Sequence, residues 1–169
     1  MAISLYSFVD TFSRALDTID HVLKKGEEFA AAEGVDPESM LDWRLVEDMN
    51  PLRFQLAIVV NFSRSWISLG AGVEAPAAIE DSLDLAGFHG AIAEAKAFLA
   101  GLTPEQFAGR DELEHTHTLG NELTLTMPIE QWLRVFALTN IHFHMSMVYG
   151  ILRARGVQIG KVDLFSSGV

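Results

Sequence analysis

An amide and an imidazole, Asn140 and His144, stand four residues apart in the most apolar stretch of this sequence. Both belong to a set of residues spaced by three or four positions, which predicts that they share one face of a long helix. The apolar members of this set are Ile129, Trp132, Leu133, Phe136, Phe143, Met147 and Ile151. Because an unpaired buried polar group costs about 1–3 kcal/mol, we expect both side chains to bind a partner inside the protein or a ligand.

Gln55 is a third polar candidate, since it falls inside the apolar stripe of an earlier predicted helix. If the two helices face each other, Gln55, Asn140 and His144 meet between them. One interpretation is a closed hydrogen-bonded network that fixes the helix register. The other is a small-molecule pocket between the second and fourth long helices, where bundles often place ligand sites. In an enzyme of this kind His144 would be the general base, since an imidazole titrates at about pH 6.5.

Three other histidines allow a different chemistry. His115 and His117 alternate along a predicted strand, so they share a face and could hold a metal ion together. Two imidazoles alone make a weak site, and Glu122 or another carboxylate would have to join them; an exposed strand face is the alternative interpretation. His142 lies about 200° around the helix from His144, so these two cannot chelate one ion. We expect His142 at the surface or in an interface.

Hydrophobic spacing predicts four long helices. The first three run from about Ser4 to Ala32, Leu52 to Leu69 and Leu83 to Leu99, and the fourth carries the set that begins at Ile129. Asp36-Pro37 predicts the start of a short helix through Leu41, and Thr103 to Gln106 matches a capping box. The sequence therefore predicts one mainly all-α domain over residues 1–169, a four-helix bundle.

A small β-hairpin is predicted before the last long helix, because residues from Glu112 to Met127 alternate around Gly120-Asn121. Glycine followed by asparagine suits a two-residue turn. Such a turn predicts two faces, one with Thr116, Thr118, Leu123 and Leu125, and the other with His115, His117, Thr124 and Thr126.

Charge and composition exclude several classes of function. The net charge is -11 and the longest basic run is Lys24-Lys25, which argues against nucleic acid and anionic membrane surfaces as partners. The chain has no cysteine, so it has no disulfide, thiolate nucleophile or cysteine-based zinc site. No uninterrupted apolar run approaches the roughly 20 residues of a membrane span, and the N-terminus lacks the pattern of a signal peptide. We therefore expect a cytoplasmic protein without membrane partners.

The fourth helix is predicted to be apolar on nearly every side. Besides the set around Asn140 and His144, it carries Val135, Leu138, Ile141, Met145, Val148 and Leu152. A helix of this kind is either central or covered by another subunit. We therefore expect a homodimer formed through this helix.

Three separated segments resemble an uncharacterised bacterial and fungal family, domain of unknown function 1993. The first is Leu45-Val-Glu-Asp48-Met49-Asn-Pro51-Leu52-Arg-Phe-Gln55, which departs from the family at Asn50, where phenylalanine is usual. The second is Leu123-Thr-Leu-Thr126, where the family has its hairpin. The third runs from Asn140-Ile-His-Phe-His144 through Arg153 to Gly160-Lys161-Val-Asp163. The resemblance implies the DinB/YfiT-like bundle fold and no agreed activity.

The wider DinB-like superfamily often binds a divalent metal through three histidines, one on the second helix and two on the last. By this resemblance His144 takes the place of one of them, Asn140 that of another, and Gln55 or Asn61 that of the third. Amides are weak ligands for the metals that imidazole prefers, so we predict no cofactor and keep a divalent metal as the disfavoured alternative. The predicted function is small-molecule binding by Gln55, Asn140 and His144. The alternative is a metal- or thiol-dependent transferase or hydrolase with His144 as base or ligand.

Overall fold

The computed structural model describes residues 4–120 and 123–165. Its helices are α1 (Ser7–Ala32), α2 (Leu52–Ala71), α3 (Leu85–Ala100), the short α4 (Pro104–Phe107) and α5 (Ile129–Ala154). The strands β1 (Glu114–Leu119) and β2 (Leu123–Pro128) lie between α4 and α5. Two 3-10 helices, Pro37–Asp42 and Lys161–Phe165, precede α2 and follow α5. The four long helices form the predicted bundle, and the hairpin precedes its last helix.

Local capping residues set the ends of these helices. Gly72 follows α2 with a φ of 69°, in the left-handed region that glycine adopts without strain. The Asp84 carboxylate accepts a hydrogen bond from the backbone N–H of Gly87 at 2.7 Å, which starts α3. Thr103 and Gln106 form the predicted capping box of α4. Because these signals are local, the predicted helix ends agree with the structure to within a few residues.

Packing within the bundle brings α2 and α5 side by side. α1 packs against α2, α3 and α5, and α3 packs against α1 and α2. The largest fully buried side chains include Trp132, Phe12, Phe88, Leu16, Ile19 and Leu56. The contact between α2 and α5 is the one that places Gln55 next to His144.

A wide π-helical turn, Trp132–Ala137, interrupts α5 and changes its buried face. A π turn accommodates one extra residue, which rotates the rest of the helix by about 100° relative to a regular α-helix. From this turn onward, four buried residues each lie one position after a member of the predicted set: Ala137, Ile141, Val148 and Leu152. Ile151, itself a member of the predicted set, is also buried. Phe143 is 54% exposed, and Asn140, His144 and Met147 are half-buried. The prediction of one unbroken stripe is therefore wrong beyond Phe136.

The hairpin forms as predicted, but its register differs. Leu119 pairs with Leu123, so three residues separate the paired ends instead of two. Because side chains alternate along a strand, a shift of one residue moves every cross-strand partner to the other face. Thr116 and Thr118 lie opposite Thr126 and Thr124, and His115 and His117 lie opposite Met127 and Leu125. The predicted faces were wrong for this reason. Asn121 and Glu122 lie outside the described residues.

α5 also has an unusual amount of uncovered apolar surface. By length and composition it could cross a membrane, with a mean hydropathy of 1.3 in its most apolar window. A core helix of a bundle passes the same test, and α5 does pack against α1 and α2. However, only 33% of that window is buried within the chain. A large part of this apolar window is therefore exposed in the single chain.

Candidate functional site

Gln55 is held rigidly at the contact between α2 and α5. Its side chain is 4% exposed. Its Nε2 donates a hydrogen bond to the backbone carbonyl of Asn50 at 3.1 Å, in the loop that leads into α2. Because a carbonyl can only accept, this bond fixes the amide so that Oε1 points away from the loop. Oε1 lies 2.8 Å from Nδ1 of His144 on α5.

This geometry determines the tautomer of the neutral His144 ring. An amide oxygen can only accept a hydrogen bond, so Nδ1 of His144 must carry the proton and donate it to Gln55. Burial lowers the pKa of His144 below its usual 6.5, because a half-buried ring loses hydration of its charged form. At neutral pH the ring is therefore uncharged, and its second nitrogen, Nε2, carries a lone pair.

His144 is half-buried, and its Nε2 is not among the fully buried side-chain atoms that lack a partner in the described residues. No group in residues 4–120 or 123–165 donates a hydrogen bond to it. Three phenylalanine rings surround the imidazole edge to face, with centroid distances of 6.3 Å to Phe54, 6.2 Å to Phe62 and 5.2 Å to Phe143. Phe54 and Phe62 are half-buried, whereas Phe143 is exposed. We call His144, Phe54, Phe62 and Phe143 together the His144 face, in which a hydrogen-bond acceptor lies among aromatic rings.

Asn140 does not join the pair formed by Gln55 and His144. Its Nδ2 donates to the backbone carbonyl of Phe136, one turn earlier in α5, at 2.9 Å. A short polar side chain can satisfy itself within its own helix in this way, so it needs no partner on α2. Of the three residues predicted to meet, the structure brings together two.

Asn61, the other amide considered on α2, is fully engaged elsewhere. Its Oδ1 accepts hydrogen bonds from Nη2 of Arg64 at 2.8 Å and from the backbone N–H of Ile79 at 2.9 Å. Its Nδ2 donates to the carbonyl of Ile79 at 3.0 Å. These bonds tie the loop between α2 and α3 to α2, which gives Asn61 a structural role.

His115 and His117 pack on the start of α5. Their ring centroids lie 4.8 Å and 5.2 Å from the ring of Trp132, and 5.9 Å from each other. Burial and the neighbouring His117 lower the pKa of His115. The two imidazoles therefore attach the hairpin to an aromatic ring of the core, a contact that neither the metal interpretation nor the exposed-strand interpretation included.

An aromatic cluster connects the hairpin to the His144 face. Trp132 stacks on Phe136 with centroids 4.2 Å apart, Phe136 lies 5.6 Å from Trp66, and Trp66 lies 4.1 Å from Phe62. Sequence reasoning missed this cluster. The signal was present, because Phe62 and Trp66 on α2 and Trp132 and Phe136 on α5 are pairs spaced by four residues on facing helices.

The donors around His144 do not fit a divalent metal of the kind common in DinB-like proteins. The set contains one imidazole, whose neighbours Gln55 and Asn140 already use their amides in hydrogen bonds. In the described part of the chain, no group of three or more histidine or carboxylate side chains is close enough to hold a metal ion. The side chains around His144 therefore do not fit the three-histidine metal site that the resemblance implied.

Two ionic clusters that the sequence did not reveal lie away from this face. His89 on α3 bridges two carboxylates of α1, with Nδ1 2.6 Å from Oδ1 of Asp20 and Nε2 2.6 Å from Oε1 of Glu27. Burial alone would lower the pKa of His89, but its hydrogen bonds to Glu27 and Asp20 and their charges outweigh burial and raise it. This cluster ties α3 to α1.

The second cluster is centred on Asp163, in the 3-10 helix that follows α5. Its carboxylate accepts hydrogen bonds from Nζ of Lys25 at 2.6 Å, from the backbone N–H of Gly160 at 2.7 Å and from Nε2 of His21 at 2.9 Å. Lys25, then Gly160 and His21, hold the pKa of Asp163 far below its usual value. The C-terminal turn is thereby fixed to α1.

Five surface cavities in the described part of the chain lie away from Gln55, Asn140 and His144. The largest, about 440 Å³, lies between α1, α5 and the C-terminal turn. Its lining includes His142, which is exposed as predicted, and Met145. The His144 face is thus separate from this cavity.

Comparison with known proteins agrees with the fold and the motifs. The sequence model of the family described as "Domain of unknown function (DUF1993)" matches residues 5–165. A solved structure, described as a DinB family member protein from Shewanella denitrificans, is 29% identical in sequence with a TM-score of 0.85, over 95% of this chain and 90% of that chain. No curated protein matches the chain. The chain belongs to the DUF1993 family and has the DinB-like bundle fold.

Proposed function

We propose that the protein binds small, uncharged aromatic molecules that carry a hydrogen-bond donor, and that it binds them at the His144 face. The observation that carries this proposal is the fixed tautomer of His144. Gln55 occupies Nδ1, so Nε2 remains as an acceptor beside three phenylalanine rings. A hydroxyl or N–H group on an aromatic ring would match this arrangement, since its ring can pack edge to face while its donor binds Nε2.

The absence of charge near His144 supports an uncharged ligand. From Phe54 to Ser63 on α2, and from Val135 to Leu152 on α5, the sequence contains no Asp, Glu, Lys or Arg. A carboxylate or ammonium group on a ligand would lose hydration at this face without gaining a partner of opposite charge. Phenol is therefore a suitable probe, and benzoate is its matched charged control.

Titration of ¹⁵N-labelled protein with phenol, followed through the side-chain resonances of its histidines, tests this proposal. We expect the His144 resonances to shift with phenol and to stay unchanged with benzoate. The loss of one hydrogen bond worth about 1 kcal/mol predicts that His144→Ala weakens phenol binding by about fivefold. His142→Ala removes an exposed histidine of the same helix and should leave binding unchanged. Equal shifts with both probes, or shifts confined to His142, which lines the cavity between α1 and α5, would contradict the proposal.

A second candidate function is a transferase or hydrolase in which His144 is the base. The observations in its favour are that Gln55 holds Nδ1, which leaves Nε2 as the basic nitrogen, and that burial lowers the pKa of His144, so the ring is unprotonated at neutral pH. Hydrolysis of the neutral ester 4-nitrophenyl acetate tests it. An enzyme of this kind loses its rate in His144→Ala, whereas a binding protein shows the same rate in both.

A further inference from the structure

The His144 face is part of a larger uncharged surface formed by α2 and α5. Phe54, Phe62 and Phe143 lie on it, and Val135, nearer the start of α5, is 47% exposed. The charge-free segments are those of α2 and α5 described above, residues 54–63 and 135–152. We call this surface the uncharged face.

The rest of the bundle carries the acidic residues. α1 alone contains five acids in its first 22 residues, Asp10, Asp17, Asp20, Glu27 and Glu28, and α3 adds Glu94. With a net charge of -11, two copies of this chain repel each other over most of their surfaces. The uncharged face is where two copies approach without bringing carboxylates together, and where apolar area is gained by contact.

We propose that a second copy of this chain packs on the uncharged face, with α5 of each copy crossing its counterpart about a two-fold axis. In such a pair the same surface of both copies is used, so the middle of the shared segment meets itself. Phe143 is at the middle of residues 135–152 and is exposed. The partner subunit's Phe143 therefore lies next to His144, and the pair encloses a space that is an open surface in one chain.

This arrangement differs from the dimer expected from sequence. Three of the residues that predicted it, Ile141, Val148 and Leu152, are buried inside the bundle because of the π turn. The surface left for a partner is centred on Phe143 instead. The enclosure of a ligand by the pair rests on the proposed function, whereas the pairing itself does not.

The size of the surface sets the expected strength of the pair. The segment of α5 from Val135 to Leu152 is about 27 Å long and two adjacent helices are about 20 Å wide, so each copy buries about 500 Å². The two copies together therefore bury about 1,000 Å², which is below the roughly 1,200 Å² in total at which stable, specific interfaces begin. We therefore expect a dimer that dissociates on dilution.

Sedimentation equilibrium over a range from nanomolar to submillimolar protein tests the pairing. We expect the mass to rise from one chain to two with concentration. Phe143→Glu places a charge at the centre of the interface, so it should remain a monomer throughout. Ala93→Glu adds the same charge on the exposed side of α3 and should dimerise like the unchanged protein. A monomer at every concentration, or a dimer unaffected by Phe143→Glu, would overturn the proposal.

Cysteine crosslinking gives an independent measurement, because the natural sequence contains no cysteine. Phe143→Cys should form a disulfide-linked dimer on mild oxidation, since a two-fold axis near this residue brings the two thiols together. Ala93→Cys should stay monomeric. Absence of a crosslink in Phe143→Cys, or equal crosslinking of both variants, would contradict the predicted axis.

A membrane surface is the competing occupant of an apolar helix face, and vesicles distinguish it. A protein that is monomeric in solution but sediments with phosphatidylcholine vesicles, and loses this binding in Phe143→Glu, would overturn the pairing. Failure of the proposed function would look different. If the protein is a dimer and the His144 resonances do not shift with phenol, the pairing is supported and the proposed ligand site is wrong. If the protein is a monomer that binds phenol, the ligand site is supported and the pairing is wrong.

Discussion

Replacement of Gln55 by leucine tests whether the bond between Gln55 and His144 determines the site. The amide makes two hydrogen bonds, to the carbonyl of Asn50 and to Nδ1 of His144, while being 4% exposed. Each such bond is worth about 0.5–1.5 kcal/mol net, so Gln55→Leu should lower the free energy of unfolding by about 2 kcal/mol. Leucine has a similar volume, so the loss reports mainly the hydrogen bonds.

Urea denaturation at pH 8, where His144 is neutral, measures this loss. A double-mutant cycle with His144→Leu isolates the pair, and we expect a coupling free energy of about 1 kcal/mol. Leu52→Ala, at a fully buried position one turn earlier in α2, is a control that destabilises through lost packing and should show no coupling to His144→Leu. A coupling free energy near zero between Gln55 and His144 would refute the account of the tautomer.

Three further predictions concern the fold. Because folding raises the pKa of His89, its ion pairs stabilise the fold fully below about pH 6.5, and this stabilisation is lost as the pH rises through the folded-state pKa. In His89→Gln the free energy of unfolding should no longer show this pH dependence. The same pH dependence in the variant would contradict the prediction. A methyl group added at Gly90 would meet open space, so Gly90→Ala should stabilise α3 by about 0.5–1 kcal/mol. A methyl group added at Gly26 would meet buried side chains at 2.9 and 3.3 Å, so Gly26→Ala should destabilise α1 by about 1 kcal/mol. Thermal unfolding of the two variants measures both effects. Asp163→Asn weakens the bond to Lys25, so amide hydrogen exchange in the C-terminal turn should become faster. An unchanged exchange rate in this turn would contradict the prediction.

Much of the fold was predictable because its signals are local. Helix spacing, the Asp36-Pro37 helix start and the capping box at Thr103 each act within one or two turns, and the corresponding elements formed where expected. The position of Gln55 in the interior also followed from spacing, because the regular α2 keeps its period from end to end.

Two errors, the buried face of α5 and the faces of the hairpin, share one physical origin, a shift of one residue. The π turn in α5 and the three-residue loop of the hairpin each add one residue between regular segments, which changes the face of everything that follows. Periodicity read from a sequence assumes that no residue is added. Asn140 was misplaced for another reason: it lies in the same regular segment as His144, but its amide bonds to a carbonyl of its own helix instead of reaching Gln55.

The contacts of the histidines were not predictable for a different reason. His89, His115 and His117 obtain their neighbours from segments far apart in the chain, and a single sequence shows no pairing between such segments. Their roles follow from the packing of α1, α3 and the hairpin.

The tautomer of His144 is the most direct test of the account. Long-range ¹H–¹⁵N correlation spectra of the histidine rings at about pH 7.5–8, about one unit above the ordinary imidazole pKa, distinguish a proton on Nδ1 from one on Nε2. We expect a neutral His144 with its proton on Nδ1, and a shift of that population in Gln55→Leu. A proton on Nε2, or a charged ring at this pH, would contradict it.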